Sequence, residues 1–192
     1  MLLEKPIEQA INTLKSGGIL LHPTDTVWGI ACDPFNREAV EKVRKIKNKP
    51  EKHPFILLTH SLEIIKKYVE NIHPRIETLL SLHQRPLTII YPGSESLEPP
   101  LVNDDGGVAI RLVKSGVCSE ILEAFGQPLL STSANLHGDK TPGHFGEISS
   151  DIIKSCDYVF PFSRDEKNNG LQKPSPIATY NPKNGDLEFI RE

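Results

Sequence analysis

Residues 17–32, GGILLHPTDTVWGIAC, decide how this chain folds. Two apolar runs, GILLHP and TVWGIAC, lie on either side of a short polar turn. Short apolar runs that are bounded by turn residues are typical of buried strands. We therefore predict two strands joined by a turn that carries Thr24, Asp25 and Thr26.

Working outward from this hairpin, helical and strand patterns alternate along the chain. Ile7, Ala10, Ile11 and Leu14 recur at helical spacing and predict a helix over 4–16, which the glycines at 17 and 18 end. Further helices are predicted over 36–47, from Ser61 as a cap through Val69, over 74–83, over 116–125 and near 142–154, and further strands in PFILL, PLTIIYP, GVAIRL, PLLSTS, DYVFP, PIATY and LEFIR. This alternation predicts an α/β fold in a single domain over 1–192, with a long surface loop at 163–176 that could serve as a lid.

Composition narrows the class of protein. The 192 residues are 38% hydrophobic and 24% charged, with a formal net charge of −3. This balance predicts a soluble globular protein without a global positive field for nucleic acid or membranes. The longest apolar runs are far too short to cross a membrane. The odd and scattered Cys32, Cys118 and Cys156 argue against a disulfide scaffold or a cysteine zinc site, so we expect a cytoplasmic protein.

Familiar catalytic and phosphate-binding motifs are missing from the sequence. We find no G-x-x-x-x-G-K-[ST] phosphate loop, no G-x-G-x-x-G after a strand, no HExxH and no G-x-S-x-G elbow. We therefore expect no metal site built by the protein, and any nucleotide must be bound by other devices.

Two polar stretches each have a structural and a functional interpretation. The turn HPTDTVWGI at 22–30 is either a hairpin turn with locally bonded threonines or part of a site. The basic stretch KVRKIKNKPEKHP at 42–54 is either a solvated helix face or a phosphate site. Lys47 and Lys49 favour the phosphate site, because Pro50 ends the helix next to them.

Arg111 and the segment STSAN at 131–135 form a third polar feature. Arg111 lies inside the apolar strand VAIRL, so it either binds an anion or pairs structurally with an acidic residue at a sheet edge. Ser131, Ser133 and Asn135 alternate and would share one face of an extended chain. They either line a polar pocket or form a helix cap and a turn.

Together these segments resemble the YrdC-like family of L-threonylcarbamoyladenylate synthases. The motifs PTDTVWGI, KNKP, RPLT, VAIRL, STSAN and PSPI occur in the family's order, and the resemblance runs from about Gly17 to Arg191. It implies a twisted, mixed parallel and antiparallel open sheet flanked by helices, with a concave basic pocket.

The resemblance also implies a reaction. L-threonine captures bicarbonate or CO2 as a carbamate, which attacks the α-phosphate of ATP and expels pyrophosphate. The product, threonylcarbamoyl-AMP, would feed modification of an adenosine beside the tRNA anticodon by partner proteins, with Mg²⁺ carried in by ATP. The carbamate is itself the nucleophile, so positioning and charge neutralisation would dominate catalysis.

By positional match along the chain, the resemblance implies three groups of site residues. Catalytic roles fall to Lys47, Lys49 and Arg111. Contacts with threonine are implied for Thr24, Thr26, Trp28, Arg111, Ser131 and Ser175. Contacts with ATP are implied for Lys47, Lys49, His53, Ser133, Asn135, Thr141 and Arg191.

The sequence departs from the family pattern at several of these positions. Trp28 replaces a tyrosine, Lys49 replaces an arginine, and Ser175-Pro176-Ile177 replaces Ser-Thr-Val. Two alternatives to the synthase therefore stay open. One is a protein that binds double-stranded RNA or tRNA, and the other is a paralogue that binds nucleotide without turnover.

Overall fold

The computed structural model describes residues 4–50, 54–69, 71–93, 97–161 and 173–191. Its helices are α1 Glu4–Lys15, α2 Arg37–Lys47, α3 Leu62–Tyr68, α4 Pro74–Leu82, α5 Val117–Phe125 and α6 Ser150–Ser155, with a 3-10 helix at Phe145–Glu147. Its strands are β1 Leu20–His22, β2 Gly29–Cys32, β3 Ile56–Thr59, β4 Thr88–Tyr91, β5 Val108–Leu112, β6 Leu129–Ser133, β7 Tyr158–Val159, β8 Ile177–Tyr180 and β9 Leu187–Arg191.

The strands of the described residues form one open sheet in the order β7-β1-β2-β6-β3-β5-β4-β8-β9. The pairs β1/β7, β3/β5 and β4/β8 are parallel, and the remaining five pairs are antiparallel. The predicted α/β fold with a mixed open sheet is therefore confirmed. The hairpin predicted within residues 17–32 is the pair β1/β2, with Leu21 opposite Ile30.

Each face of the sheet has its own apolar core. On one face α2, α3, α4 and α6 contribute Val43, Ile65, Ile76 and Ile152 to a common cluster. On the other face α1 and α5 pack on β1, β3 and β6 in a smaller cluster. Because side chains alternate along a strand, Arg111 faces the side opposite to its buried neighbour Ile110.

Most helix boundaries follow their local signals. Ser61 caps α3 as predicted, since its Oγ accepts a hydrogen bond from the amide of Ile64 at 3.2 Å. The predicted helix near 142–154 is wrong in extent. Gly143 and Gly146 disfavour a helix, and Ser149 caps a new one, α6, with its Oγ on the amide of Ile152.

Two other features bear on the sequence predictions. Among the described residues, no helix combines the length and the apolar character needed to cross a bilayer. The proposed lid at 163–176 lies outside the described residues except for its last four positions, 173–176.

Candidate active site

A cavity of about 360 Å³ lies over the sheet, beside the part that α1 and α5 cover. The turn between β1 and β2, the end of α2, the strands β3, β5 and β6, and the start of β8 all contribute to its wall. The predicted site residues that line it are Thr24, Thr26, Lys47, Lys49, Arg111, Ser131, Ser133, Asn135, Thr141, Ser175 and Arg191.

Among the described residues, one predicted site residue, Trp28, is not in this wall. Trp28 is 3% exposed and packs in the core, with its ring 4.9 Å from that of Phe145. Its neighbours Val27 and Gly29 line the cavity, and alternation along the chain directs Trp28 to the opposite side. The prediction that Trp28 contacts threonine is therefore not supported by this geometry. His53 lies outside the described residues.

The turn between β1 and β2 is both locally bonded and part of the cavity. Thr24 Oγ1 accepts from the amides of Thr26 at 3.1 Å and Val27 at 3.2 Å, and it donates to the carbonyl of Val27 at 2.7 Å. The two interpretations of this turn are therefore compatible. Its internal hydrogen bonds hold the threonines at the cavity wall and orient Asp25 between them.

Arg111 is paired with an acidic residue in the middle of the sheet. Asp25 Oδ1 lies 3.0 Å from Arg111 Nη2, and both side chains are mostly buried. β5 lies between β3 and β4, so the alternative of an arginine at a sheet edge is wrong, although the acidic partner exists. Burial raises the pKa of Asp25, while the charge of Arg111 opposes that rise.

Sequence reasoning did not assign Asp25 a role in the site. Its position between two threonines of a turn that lines the cavity was the available signal. No local pattern, however, indicates that the turn reaches a strand so distant in sequence.

Lys47 and Lys49 approach the cavity from the end of α2. Among the described residues, neither ammonium group has a carboxylate within 4.0 Å. Lys49 Nζ donates to the carbonyl of Pro54 at 2.8 Å and lies 4.4 Å from the ring centre of Phe55. Burial lowers the pKa of each lysine to about 8, and the charge of Lys49 further lowers that of Lys47.

Ser175 connects two arginines at the other end of the cavity. Its Oγ lies 2.7 Å from Thr88 Oγ1 and accepts from Arg111 Nη1 at 3.3 Å. Its carbonyl accepts from Arg191 Nε at 3.2 Å and from Nη2 at 2.7 Å. Burial lowers the pKa of Arg191, and the nearby charge of Arg111 adds to this effect. Four cationic side chains from three separate segments thus share one cavity.

A larger cavity, of about 460 Å³, lies on the other side of the Thr24–Asp25 turn. Its wall includes Arg85 and Lys114, but also Asp25 and Glu120, so its charges nearly balance. The smaller cavity has the unbalanced positive charge and the hydroxyl groups, and it is therefore the candidate active site. No group of three or more metal-ligating side chains occurs among the described residues.

The fold and the site define an α/β protein with a mixed open sheet and a cationic, hydroxyl-lined cavity on one face. The Sua5/YciO/YrdC family model, described as "Telomere recombination", matches residues 12–192. The chain belongs to this family.

Relatives of similar length support that membership. A threonylcarbamoyl-AMP synthase of Stenotrophomonas maltophilia (strain K279a) is 29% identical over 182 residues, which cover 91% of this chain and 93% of that protein. The enzyme of the same name from Vibrio parahaemolyticus serotype O3:K6 is 33% identical over 173 residues, with coverage of 88% and 91%.

Solved structures share the fold at lower identity. P. abyssi Sua5 complexed with L-threonine matches with a TM-score of 0.85 and 21% identity, over 96% of this chain and 53% of that chain. E. coli YciO matches with a TM-score of 0.80 and 23% identity, over 98% and 89%. The chain thus spans about half of the Sua5 protein and nearly all of YciO.

Proposed function

We propose that this protein is an L-threonylcarbamoyladenylate synthase. It forms threonylcarbamoyl-AMP and pyrophosphate from L-threonine, bicarbonate or CO2, and ATP. The observation that carries the proposal is the convergence of Lys47, Lys49, Arg111 and Arg191 on one hydroxyl-lined cavity, with Asp25 the acidic partner of Arg111. Such an excess of positive charge around one cavity is stabilised by a polyanionic ligand such as ATP.

The proposed reaction needs positioning and charge neutralisation more than a protein nucleophile. A carbamate oxygen forms a bond to the α-phosphorus. The bond from that phosphorus to the oxygen between the α- and β-phosphates breaks, and pyrophosphate leaves with this oxygen. Two anions must approach each other, so cations close to the reacting atoms lower the barrier. Mg²⁺ enters with ATP as part of the substrate.

The two ends of the cavity fit the two substrates. Arg111, Ser175 and the Thr24–Thr26 turn form the proposed threonine end, where the guanidinium faces the amino acid's carboxylate. Lys49 and Ser133 form the proposed nucleotide side, and Thr141 and Asn135 line the same cavity. Arg191, which donates to the carbonyl of Ser175, would reach the nucleotide from the threonine end. The cavity wall also has an aliphatic part, formed by Ile56, Ile90, Ala109 and Ile177.

The decisive experiment detects threonylcarbamoyl-AMP by mass spectrometry after incubation with ATP, Mg²⁺, L-threonine and bicarbonate. We expect the wild type to form it and Arg111→Ala to lose on the order of 10²-fold or more in rate. Arg75→Ala removes an exposed arginine that pairs with Asp186 and should leave the rate unchanged. Absence of threonine-dependent pyrophosphate release in the wild type would contradict the proposal.

The alternatives are further outcomes of such measurements. Binding of ATP by calorimetry without product would identify a nucleotide-binding paralogue. Binding of double-stranded RNA or tRNA would involve the exposed Lys42 and Lys45, and it should weaken steeply with salt. We also propose a cytoplasmic location, where tRNA-modification proteins would consume the product.

A further inference from the structure

Lys47 is the last residue of α2, and its ammonium group is surrounded by acceptors of the protein itself. Lys47 is 3% exposed. Its Nζ donates to the carbonyl of Ser133 at 2.6 Å, to Asn135 Oδ1 at 3.1 Å and to the carbonyl of Asn135. An ammonium group has three donors. All three are therefore engaged before any substrate binds.

The main chain of Lys47 holds the same segment from the other side. The carbonyl of Lys47 accepts from the amide of His137 at 2.8 Å. The side chain of Asn135, which accepts from Lys47, donates through Nδ2 to the carbonyls of Leu136 at 3.0 Å and Asp139 at 2.7 Å. Lys47 thus anchors the loop over residues 134–141, both directly and through Asn135.

We infer that Lys47 is a positioning residue that fixes the 134–141 loop, and that it is not a direct ligand of the phosphates. This loop brings Asn135, His137 and Thr141 to the wall of the cavity. Direct donors for the phosphates are then supplied by Lys49, whose ammonium makes one hydrogen bond, to Pro54, in the described residues. The catalytic consequence of this inference rests on the proposed function.

The geometry also explains why lysine stands at this position. Three oxygens surround a single point, which suits the compact ammonium group and does not suit the planar fork of arginine. The positive charge of Lys47 still contributes to the field in the cavity, but its donors are occupied. A substitution by arginine would therefore keep the charge and lose the anchoring.

Hydrogen exchange of the full chain without substrates tests the anchoring directly. The amide of His137 is the probe, since it is protected by its bond to the carbonyl of Lys47. We expect Lys47→Met to speed its exchange by about tenfold or more, because the loop loses its hydrogen bonds to a buried ammonium group. Lys49→Met is the matched control and should leave this amide unchanged. Equal exchange in the wild type and Lys47→Met would overturn the inference.

Lys47→Arg provides a second test that does not depend on the fate of Lys47→Met. With a planar guanidinium in place of the ammonium group, exchange of the His137 amide should again be faster than in the wild type. The KM for ATP should rise at least as much as in Lys49→Met. A direct phosphate ligand would instead be rescued by arginine. Wild-type exchange and wild-type KM in Lys47→Arg would therefore refute the positioning role. Because the exchange experiment contains no substrate, its result is independent of whether the proposed reaction occurs.

Discussion

Asp25 and Arg111 are the pair on which the proposed threonine end of the cavity depends. A buried guanidinium keeps its charge, so it needs a nearby counter-charge to offset the loss of water. Asp25 supplies that charge through Oδ1, 3.0 Å from Nη2, while Ser175 Oγ accepts a hydrogen bond from Nη1. Asp25 is therefore expected to act through Arg111 and not on the substrate itself.

Replacing Asp25 by asparagine should keep the shape of the turn and remove the charge. We expect Asp25→Asn to reduce kcat/KM for threonine by about 10- to 100-fold, because Arg111 loses the negative charge that offsets its burial. The KM for ATP should change much less. Asp186→Asn removes the exposed partner of Arg75 and should leave both values unchanged. Wild-type kinetics for threonine in Asp25→Asn would contradict this role.

The two lysines of the cavity predict a coupling between ATP binding and protonation. Burial lowers the pKa of both to about 8, so each is partly deprotonated at pH 8. A bound triphosphate favours the protonated forms and raises these pKa values, so protons are taken up on binding. Calorimetry at pH 8 in buffers of different ionisation enthalpy should detect this uptake. Affinity for ATP should fall as the pH rises from 7 to 9.

Lys49→Met is the control for this proton uptake. It removes one of the two titrating groups and should reduce the number of protons bound by about half. Identical heats of binding in all buffers at pH 8, after correction for dilution, would mean that neither lysine changes its protonation.

At the scale of elements, the end of α2 determines where the lysines lie. Asn48 adopts a left-handed conformation with φ of 49°, and its amide bonds back to the carbonyls of Arg44 and Lys45. This single residue turns the chain between Lys47 and Lys49, so that both side chains reach the cavity from one helix. Asparagine and glycine tolerate such a conformation better than other residues do.

Substitutions of Asn48 should therefore separate backbone strain from side-chain chemistry. We expect Asn48→Val to lower the free energy of unfolding by about 1–2 kcal/mol, since a β-branched residue is strained there. It should also weaken ATP binding by displacing Lys49. Asn48→Gly should retain near wild-type affinity. Urea unfolding and calorimetry give both quantities, and equal stability of the two variants would argue against strain as the cause.

At the scale of the whole molecule, His22 links stability to pH. It is fully buried in β1, and burial lowers its pKa to about 4, with a smaller lowering from the charge of Arg111. In the unfolded chain the pKa is about 6.5. Between these values the unfolded state binds a proton that the native state does not, so stability falls as the pH drops from 6.5 towards 4.

The loss from His22 alone should amount to about 3 kcal/mol when the full interval is crossed. Urea unfolding between pH 7 and pH 4.5 measures most of it. The variant His22→Gln should show a shallower loss than the wild type, whereas His144→Gln alters an exposed histidine and should follow the wild-type curve. Parallel curves for the wild type and His22→Gln would show that His22 does not contribute.

Local pattern determined much of the architecture. Some features depend on residues within a few positions of each other, and these could be predicted from the sequence. They are the alternation of strands and helices, the α/β class and the Ser61 cap. The helix near 142–154 was predicted too long. The apolar spacing continues through Ser149, but the α-helix begins only after this residue, which is its N-cap. The resemblance to the family also identified eleven residues that line the cavity.

Only the tertiary structure decided which of these groups meet. Trp28 packs in the core against Phe145. The turn between β1 and β2 lies close enough to β5 for Asp25 to pair with Arg111. Ser133, at the end of β6, provides a carbonyl acceptor for Lys47. These contacts follow from the order of strands in the sheet, which brings together segments tens of residues apart. Periodicity specifies the face on which a side chain lies, but the partner on that face is set by the balance of burial, charge and hydrogen bonding over the whole sheet.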